Sequence, residues 1–392
     1  MKSISLHGSS PNEIRSALNK SLEEGFSPTL AFLFISVKQD RKAVCSIFTE
    51  QEIDIFGATS CGEFTDDYQS EGGIAVLLLD LHRDAYKIIL EDIGDRTIED
   101  ASDDLAKASL QTFSNPSMIL CTTGVNEAGE FFDGLTLVHS LEKALGHDCL
   151  FFGGMAGDDM SLTGTYIFTG ERESDFGLLA LALDTDRVSL HGMAITGWKP
   201  MGISRKVTKS TGKLLYTIDH KPAVEMYLKY LGKESMVNNR EFNLMDELAW
   251  SYPFIVERDE SGETLIKSPM SIDHDENALV MDMEMEEGDI FWFSMPPDLD
   301  IAQEITDKAT QTKDGLEGQK EAEALLIFSC AGRPPVLGPL VTMENEGLAE
   351  VWNSPMAGFF TYGEYGRAHN GRQHSHSCAC CWVALIEKSN NN

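Results

Sequence analysis

Histidines and cysteines alternate near the carboxyl terminus, and both residue types suit metal binding. His374, His376, Cys378 and Cys380 occupy every second position, so in a strand they would share one face at steps of about 6.5–7 Å. Two neighbours of such a series can chelate one ion, because metal–ligand bonds of about 2.0–2.3 Å let two side chains converge. All four side chains could reach one ion only if the strand contained a bulge. The sequence also lacks the Cys-x-x-Cys spacing of structural zinc sites. Zinc is therefore one alternative, and small core residues entering a buried strand are the other.

A thiol at the end of an apolar run is the second chemical candidate. Cys330 closes the run Ala324-Leu-Leu-Ile-Phe-Ser-Cys330, a strand-to-turn position that could expose it. His376 and Glu364 would complete a Cys/His/acid set if the fold brought them together. Arg333 would lower the thiol pKa or hold a carboxylate ligand. No compact motif such as G-x-S-x-G supports catalysis. We therefore prefer a ligand pocket made by Cys330, Arg333 and Glu364, and keep an enzyme that uses Cys330 with His376 as the alternative.

Glycines recur with a fixed spacing before an acidic residue. Gly57, Gly62 and Glu63 are spaced as Gly358, Gly363 and Glu364 are, and a looser copy, one residue shorter, ends at Asp158. Glycine inside a strand marks a bulge or a close approach to the backbone, by a packed element or by a ligand. We expect a ligand pocket where these strand ends meet, near Glu63, Asp158, Arg333 and Glu364. Glu63 and Asp158 are equally compatible with turn or cap roles.

The elements that carry these residues form a repeated unit. Each copy is read as an apolar strand, a helix, a glycine-marked strand and a second apolar strand, and the copies begin near residues 29, 118 and 324. The strands are apolar on both faces, so helices or a second sheet must cover each side. The predicted fold class is α/β, with two domains of mixed sheets flanked by helices.

The material between the second and third copies differs from the repeat. It contains a predicted hairpin that turns at Gly212 and Lys213, and a short helix that begins at Pro222 and ends at Gly232. The polar stretch after this helix is the best candidate for a border. We therefore predict one domain over residues 1–232 and a second over residues 233–392.

Composition excludes several classes of partner. The 392 residues include 63 acidic and 31 basic side chains, for a net charge of −32, and such a chain repels nucleic acid and anionic membranes. No apolar run approaches the roughly 20 residues that span a bilayer, and no signal-peptide pattern opens the chain. Eight scattered cysteines suit reduced thiols. We expect a cytoplasmic protein without a nucleic-acid or membrane partner, and its oligomeric state, including a homo-oligomer, is left open.

Several motifs, in the right order over nearly the whole chain, resemble one known family. The segments Gly57-Ala-Thr-Ser-Cys-Gly-Glu63 and Phe152-Gly-Gly-Met-Ala-Gly-Asp158 resemble the FIST N domain, and Gly358-Phe-Phe-Thr-Tyr-Gly-Glu364 resembles the FIST C domain. The resemblance implies a bacterial sensory module that binds a small-molecule ligand. It would pass the signal to a separate histidine kinase or to a cyclic-dinucleotide enzyme, a diguanylate cyclase or phosphodiesterase. Amino acids or another small ligand are candidates for a sensor of this family that works without haem.

One stand-alone branch that this chain resembles binds haem and responds to nitric oxide. Non-covalent haem would need an axial ligand, and His376 is our first choice because it matches the family's histidine position before the last strand. His191, alternating with apolar neighbours in a probable strand, is the second. The chain departs from the family pattern at residues 369–381, where three histidines and three cysteines stand, and this excess is what raises the zinc alternative.

Overall fold

Contacts divide the chain into two compact units. The computed structural model describes residues 1–257, 264–316, 321–368 and 371–388. The first unit comprises Met1–Ile195, Asp300–Ala331 and Pro339–Asn392, and the second comprises Thr196–Leu299 and Gly332–Gly338. This division differs from the border predicted between residues 232 and 233. The chain leaves the first unit after strand Val188–Ile195 and later returns to supply that strand's neighbour, Cys380–Glu387, so the second unit is an insertion.

Three repeats of eight elements build the first unit. Each repeat runs strand, helix, strand, helix, strand, two hairpin strands and a return strand. The first has Ser3–Gly8, Pro11–Glu23, Leu30–Ser36, Arg41–Thr49, Asp54–Ser60, Glu63–Thr65, Tyr68–Ser70 and Ile74–Leu79. The second has Tyr86–Asp92, Ile98–Thr112, Pro116–Thr122, Gly134–Leu145, Phe151–Met155, Ile167–Phe168, Glu173–Ser174 and Gly177–Asp184. The third has Val188–Ile195, Ile301–Asp314, Ala324–Cys330, Leu340–Trp352, Met356–Thr361, Glu364–Arg367, Gln373–His376 and Cys380–Glu387.

The predicted mixed α/β class and its recurring unit are confirmed. In each repeat the strands on either side of the second helix are parallel, and the return strand is antiparallel to the first of them. The registers agree, because Leu33 lies opposite Gly57, Leu120 opposite Gly153 and Ile327 opposite Gly358. Gly57 and Gly358 therefore occupy equivalent positions.

Each repeat gives its hairpin to the sheet of another repeat. Each six-stranded sheet contains four strands of one repeat and the two hairpin strands of another repeat. The hairpin of the first repeat joins the sheet of the third, that of the second joins the first, and that of the third joins the second. The exchange is cyclic, so the three sheets depend on one another.

The sheets are buried on both faces, as their apolar sequences require. Their inner faces share one core, in which Phe34 lies 4.5 Å from Phe359 and 6.1 Å from Phe328 between ring centroids. Helices cover the outer faces through separate apolar clusters. Four of these helices begin at a side-chain cap that accepts a backbone hydrogen bond: Ser10, Asp40, Thr97 and Asp133.

Aromatic residues of the exchanged hairpins explain the glycine spacing. Phe168 lies opposite Gly57, Phe64 opposite Gly358, and Tyr365 opposite Gly153. A Cβ atom on Gly57 would lie 2.2 Å from the Phe168 ring, and one on Gly358 would lie 2.3 Å from the Phe64 ring. The two glycines predicted to contact a ligand instead provide room for these rings.

The second unit is built on one antiparallel sheet. Its long strand Lys199–Thr211 turns at Gly212 into Leu214–Ile218, which matches the predicted hairpin. The other strands are Lys221–Pro222, Phe254–Glu257, Thr264–Lys267, Pro269–Asp273, Ala278–Met281 and Ile290–Met295. Helices Ala223–Tyr230 and Arg333–Leu337, the 3-10 turn Glu234–Met236 and the π-helix Met245–Ala249 complete it. Its core includes Tyr227, Phe254, Phe291 and Phe293. Across the described ranges of both units, no helix combines the length and apolarity needed to cross a bilayer.

Candidate functional site

Glu63 and Glu364 are fully buried and equivalent. Each begins an exchanged hairpin. Glu63 accepts hydrogen bonds from the Ser60 hydroxyl, from Ser70 Oγ at 3.2 Å and from the Gly73 N–H at 2.8 Å. Glu364 accepts from Thr361 Oγ1 at 2.6 Å and from the Ala379 N–H at 2.9 Å. Each carboxylate joins a hydroxyl three residues earlier to the N–H at the start of the return strand.

Asp158 is not the counterpart of these two residues. Because Phe64, Phe168 and Tyr365 are equivalent, the residue before each must be equivalent too, and in the second repeat that residue is Ile167. The match of Asp158 with Glu63 that the glycine spacing suggested is therefore wrong. The second repeat has a longer loop between strand Phe151–Met155 and its hairpin. The comparison of the glycine motifs allowed for a difference of only one residue and therefore missed this loop.

Asp158 instead organises that loop. Its buried carboxylate accepts from the N–H groups of Leu162, Thr163 and Gly164 at 3.0, 2.6 and 3.0 Å, and from the Tyr362 hydroxyl. Asp159, Met160 and Leu162 have φ of 54, 63 and 53°, a left-handed conformation that non-glycine residues seldom adopt. Such a loop persists only where its surroundings hold it, and the Asp158 contacts supply that restraint.

The loops of all three repeats meet at this point. Cys61, Gly157 and Tyr362 each lie four residues beyond an equivalent glycine, and a Cβ atom on Gly157 would come within 2.4 Å of Cys61 Sγ. Burial raises the pKa of the Cys61 thiol to about 12, which makes it a poor nucleophile. Burial, Cys61 and Asp158 raise the pKa of Tyr362. The meeting point is a closed hydrogen-bonded junction.

The Glu63 carboxyl titrates near neutral pH. Burial raises its pKa to about 7, and the charge of Asp159 acts in the same direction, against hydrogen bonds from Ser60, Gly73 and Ser70 that lower it. Asp159 accepts from Ser36 Oγ at 2.7 Å and pairs with Lys38 at 3.2 Å. A change of pH near 7 therefore acts directly on the Glu63 carboxylate.

Arg333, the fourth residue of the predicted pocket, belongs to the second unit. Its buried guanidinium donates from Nη1 to Thr196 O at 2.9 Å and lies 5.7 Å from the Trp198 ring. Trp198 Nε1 in turn donates to Ser251 O at 3.1 Å. Glu63, Asp158 and Glu364 belong to the first unit.

The histidine and cysteine series does not follow one strand. His374 and His376 lie on Gln373–His376, with ring centroids 5.8 Å apart. The chain then turns at Cys378, whose φ is 61°, and Cys380 begins a strand of another sheet. The expectation of one shared strand face is wrong because this turn interrupts the alternation. Among the residues that the structure describes, no three His, Cys, Asp or Glu side chains gather as a metal site, and His369 lies outside those residues.

The two predicted haem ligands differ in their surroundings. His376 is buried, and its Nε2 lies 3.2 Å from Gly366 O on the paired hairpin strand. His191 is half-buried on strand Val188–Ile195, with Nε2 3.1 Å from Ser189 Oγ. Cys330, the candidate nucleophile, is buried at the end of its strand, and its N–H donates to Ala379 O at 2.9 Å.

An open groove in the first unit was not foreseen from the sequence. Its volume is about 760 Å³, and it lies between the end of helix Arg41–Thr49, strand Tyr86–Asp92 and the turn of hairpin 167–174. Apolar side chains line it beside both signs of charge. The lining includes Ile53, Ile55, Ile88, Leu90, Glu52, Asp54, Arg83, Lys87, Glu171 and Arg172. These residues come from three separate segments of the chain with no shared motif, so no local signal could have found them.

Hydrogen bonds shape the groove wall. Tyr86 donates its hydroxyl proton to Asp54 Oδ2 at 2.7 Å, and Arg83 pairs with the same carboxylate. Burial, together with Asp54, raises the pKa of Tyr86. Arg172 Nη1 donates to Leu90 O at 3.3 Å. Lys87, Glu52 and Glu171 are exposed at the rim.

Comparison with known proteins finds two family models in this chain. The FIST N domain matches residues 29–221, and the FIST C domain matches residues 223–367. An uncharacterized protein of Methanocaldococcus jannaschii, MJ1623, is 36% identical over 85 residues, which is 21% of this chain and 16% of that protein. The chain therefore matches only a small part of the length of this relative.

Proposed function

Because this chain belongs to the FIST family, whose domains are generally sensors in signal transduction, we propose that it is a sensor that binds a small ligand in the groove of its first unit. The groove carries the proposal. A volume of about 760 Å³ lies within the roughly 300–1,000 Å³ of most small-molecule sites, which combine apolar walls with a few polar groups. We assign no catalytic step to the chain, and a Cys330-dependent enzyme is set aside for want of an observation that favours it.

The groove suits a ligand better than the predicted pocket does. Glu63, Asp158 and Glu364 are buried and already hold several protein donors each, so a ligand would have to break the anchors of two hairpins and a loop. In the groove, by contrast, Lys87, Glu52 and Glu171 are exposed. Binding there would leave the hairpin anchors intact.

The signal would pass to a separate protein. The family resemblance supports a histidine kinase, a diguanylate cyclase or a phosphodiesterase as the receiver in a bacterial cytoplasm. The net charge of −32 argues against a nucleic-acid or membrane partner. Reconstitution with each class of receiver, with and without ligand, would show whose activity changes.

A thermal-shift screen of amino acids and other small metabolites tests the groove. A ligand at 100 times its Kd should stabilise the protein by about 2.7 kcal/mol. Ile88→Trp, which fills the groove, should abolish the shift, because Ile88 lines its wall. Leu110→Trp is the matched control, since Leu110 is 45% exposed and does not line the groove. A thermal shift that survives Ile88→Trp but is abolished by a substitution outside the groove would refute the assignment.

Haem-based nitric oxide sensing is the finer proposal that the resemblance raises. His376 does not fit an axial ligand, because its Nε2 faces a backbone carbonyl within a paired hairpin, and the hairpin would have to open. His191 fits better, since its Nε2 meets a side-chain hydroxyl that can rotate away. If haem binds, the Soret band of the haem-supplied protein should be lost in His191→Ala and kept in His376→Ala. The reverse result would make His376 the axial ligand.

Metal analysis of the same sample tests the zinc alternative. His374→Ala and Cys378→Ala should lose stoichiometric metal only if these residues bind it.

A further inference from the structure

The groove contains the free edge of a β-strand. Tyr86–Asp92 is the last strand of its sheet and pairs only with Gly177–Asp184 within the described residues. In an antiparallel pair, successive residues alternate between bonding to the neighbour and pointing away from it. Ile93 donates to Phe176 O, which sets the alternation. The N–H and C=O groups of Ile88 and Leu90 therefore point away from Gly177–Asp184 and toward the groove.

The bond from Arg172 supports this orientation. Its guanidinium reaches Leu90 O from the groove side, so that carbonyl is turned outward. The Arg96 guanidinium likewise reaches Asp92 O, two residues further on. Two residues before Leu90, Ile88 presents a backbone donor and a backbone acceptor beside an apolar floor that includes Ile53 and Ile55.

In the other two repeats, the hairpin also contacts the equivalent edge strand. In the first repeat, Ser5 Oγ on the edge strand donates to Asp66 of the hairpin turn at 2.7 Å. In the third, Ala194 of the edge strand lies close to hairpin residue Gly366. A Cβ atom added to Gly366 would lie 3.3 Å from the Ala194 Cβ. In the second repeat, the space between edge strand and hairpin is the groove. In the second repeat, the groove therefore leaves the edge of Tyr86–Asp92 accessible.

We propose that the groove binds an extended peptide segment that adds as a strand to the edge formed by Tyr86–Asp92. Strand addition obtains affinity from main-chain hydrogen bonds and selectivity from alternate side chains. Residues of the peptide opposite Ile88 and Leu90 would place apolar side chains over the floor, and the residues between them would be polar and face the charged rim. The inference rests on the proposed role of the groove as the ligand site and specifies the class of ligand.

The probe is a library of N-acetylated, C-amidated hexapeptides with valine at alternate positions and mixed polar residues between. Binding is measured by isothermal titration calorimetry, and the tightest peptide is then N-methylated at one amide at a time. Methylation of the amides that face the strand should weaken binding by about tenfold each, the equivalent of roughly 1.4 kcal/mol per lost bond. Methylation at the intervening amides should change it by less than about twofold. A response without this period of two overturns the proposal.

Ile88→Pro tests the protein side of the same bond. It removes the N–H that points into the groove, and proline is tolerated on the free side of an edge strand. Peptide affinity should fall by about tenfold in Ile88→Pro and by much less in Ile88→Val, which keeps the N–H. Leu110→Trp, outside the groove, should bind as the wild type does. Unchanged affinity in folded Ile88→Pro overturns strand addition. If Ile88→Pro does not fold, the methylation pattern alone decides.

Two further outcomes separate this inference from the proposed function. If no peptide binds but a metabolite stabilises the wild type and not Ile88→Trp, strand addition is refuted and the groove remains the ligand site. If neither peptides nor metabolites give any effect sensitive to Ile88→Trp, both proposals fail together.

Discussion

Glu63 shows how a buried carboxylate can stabilise a fold and still respond to pH. Three donors hold it at the start of an exchanged hairpin, yet burial favours its neutral form and raises its pKa to about 7. The unfolded chain releases this proton near pH 4.5, so between these values the folded state binds more protons than the unfolded state. Folding stability should therefore fall as pH rises through this interval.

The expected size of the effect is about 3 kcal/mol, because folding raises the pKa of Glu63 from 4.5 to about 7 and each pH unit between these values contributes about 1.36 kcal/mol. Urea unfolding of wild type and Glu63→Gln at pH 4.5 and at pH 7.5 measures it. The variant should lose most of the wild-type dependence over this interval, because glutamine does not titrate. Glu364→Gln, at the equivalent position of the third repeat, controls for replacing an anchoring carboxylate by an amide. Parallel profiles for wild type and Glu63→Gln would contradict the assignment.

Among the elements, the hairpins connect the three sheets, and each places an aromatic residue opposite a glycine of another repeat. The three nearest atoms to a Cβ on Gly57 all belong to the Phe168 ring. On Gly153 the three nearest are backbone atoms of Leu120. The same strand position is thus restricted by the Phe168 side chain of another repeat at Gly57, and by the backbone of the neighbouring strand at Gly153.

A double-mutant cycle tests this difference. Gly57→Ala should cost about 1–3 kcal/mol of unfolding free energy through overpacking, and most of that cost should disappear in a Phe168→Ala background. Gly153→Ala should stay costly in a Tyr365→Ala background, because its obstruction is backbone. Additive losses for the Gly57 and Phe168 pair, measured by chemical denaturation, would show that the ring does not restrict this position.

The sequence allowed much of the architecture to be predicted, because long apolar strands and spaced glycines are local signals. The strands near residues 30, 118 and 324 and the recurring unit were found from them. The hairpin exchange was not, since strands as short as Ile167–Phe168 carry too few residues for a period to show. The match of Asp158 with Glu63 failed for a different reason, because the loop before that hairpin is longer than the motif suggests.

At the scale of the whole molecule, the candidate site comes from broken symmetry and not from a motif. Three repeats create three similar spaces between an edge strand and a hairpin, and the one in the second repeat opens as a groove. Its lining is drawn from residues 49–55, 83–90 and 169–172, which are distant in the sequence. A sequence alone does not report which of three equivalent interfaces fails to close.

Amide hydrogen exchange of the full chain, with and without the compound that gives the largest shift in the screen, tests the central claim most directly. We predict that ligand slows exchange in residues 49–55, 83–90 and 169–172, with the Ile88 and Leu90 amides among the most affected, because their N–H groups point into the groove. Exchange in Ile88→Trp should not respond to the same compound. Protection confined to the junction of Cys61, Asp158 and Tyr362, or to the second unit, with the groove segments unchanged, would contradict the account.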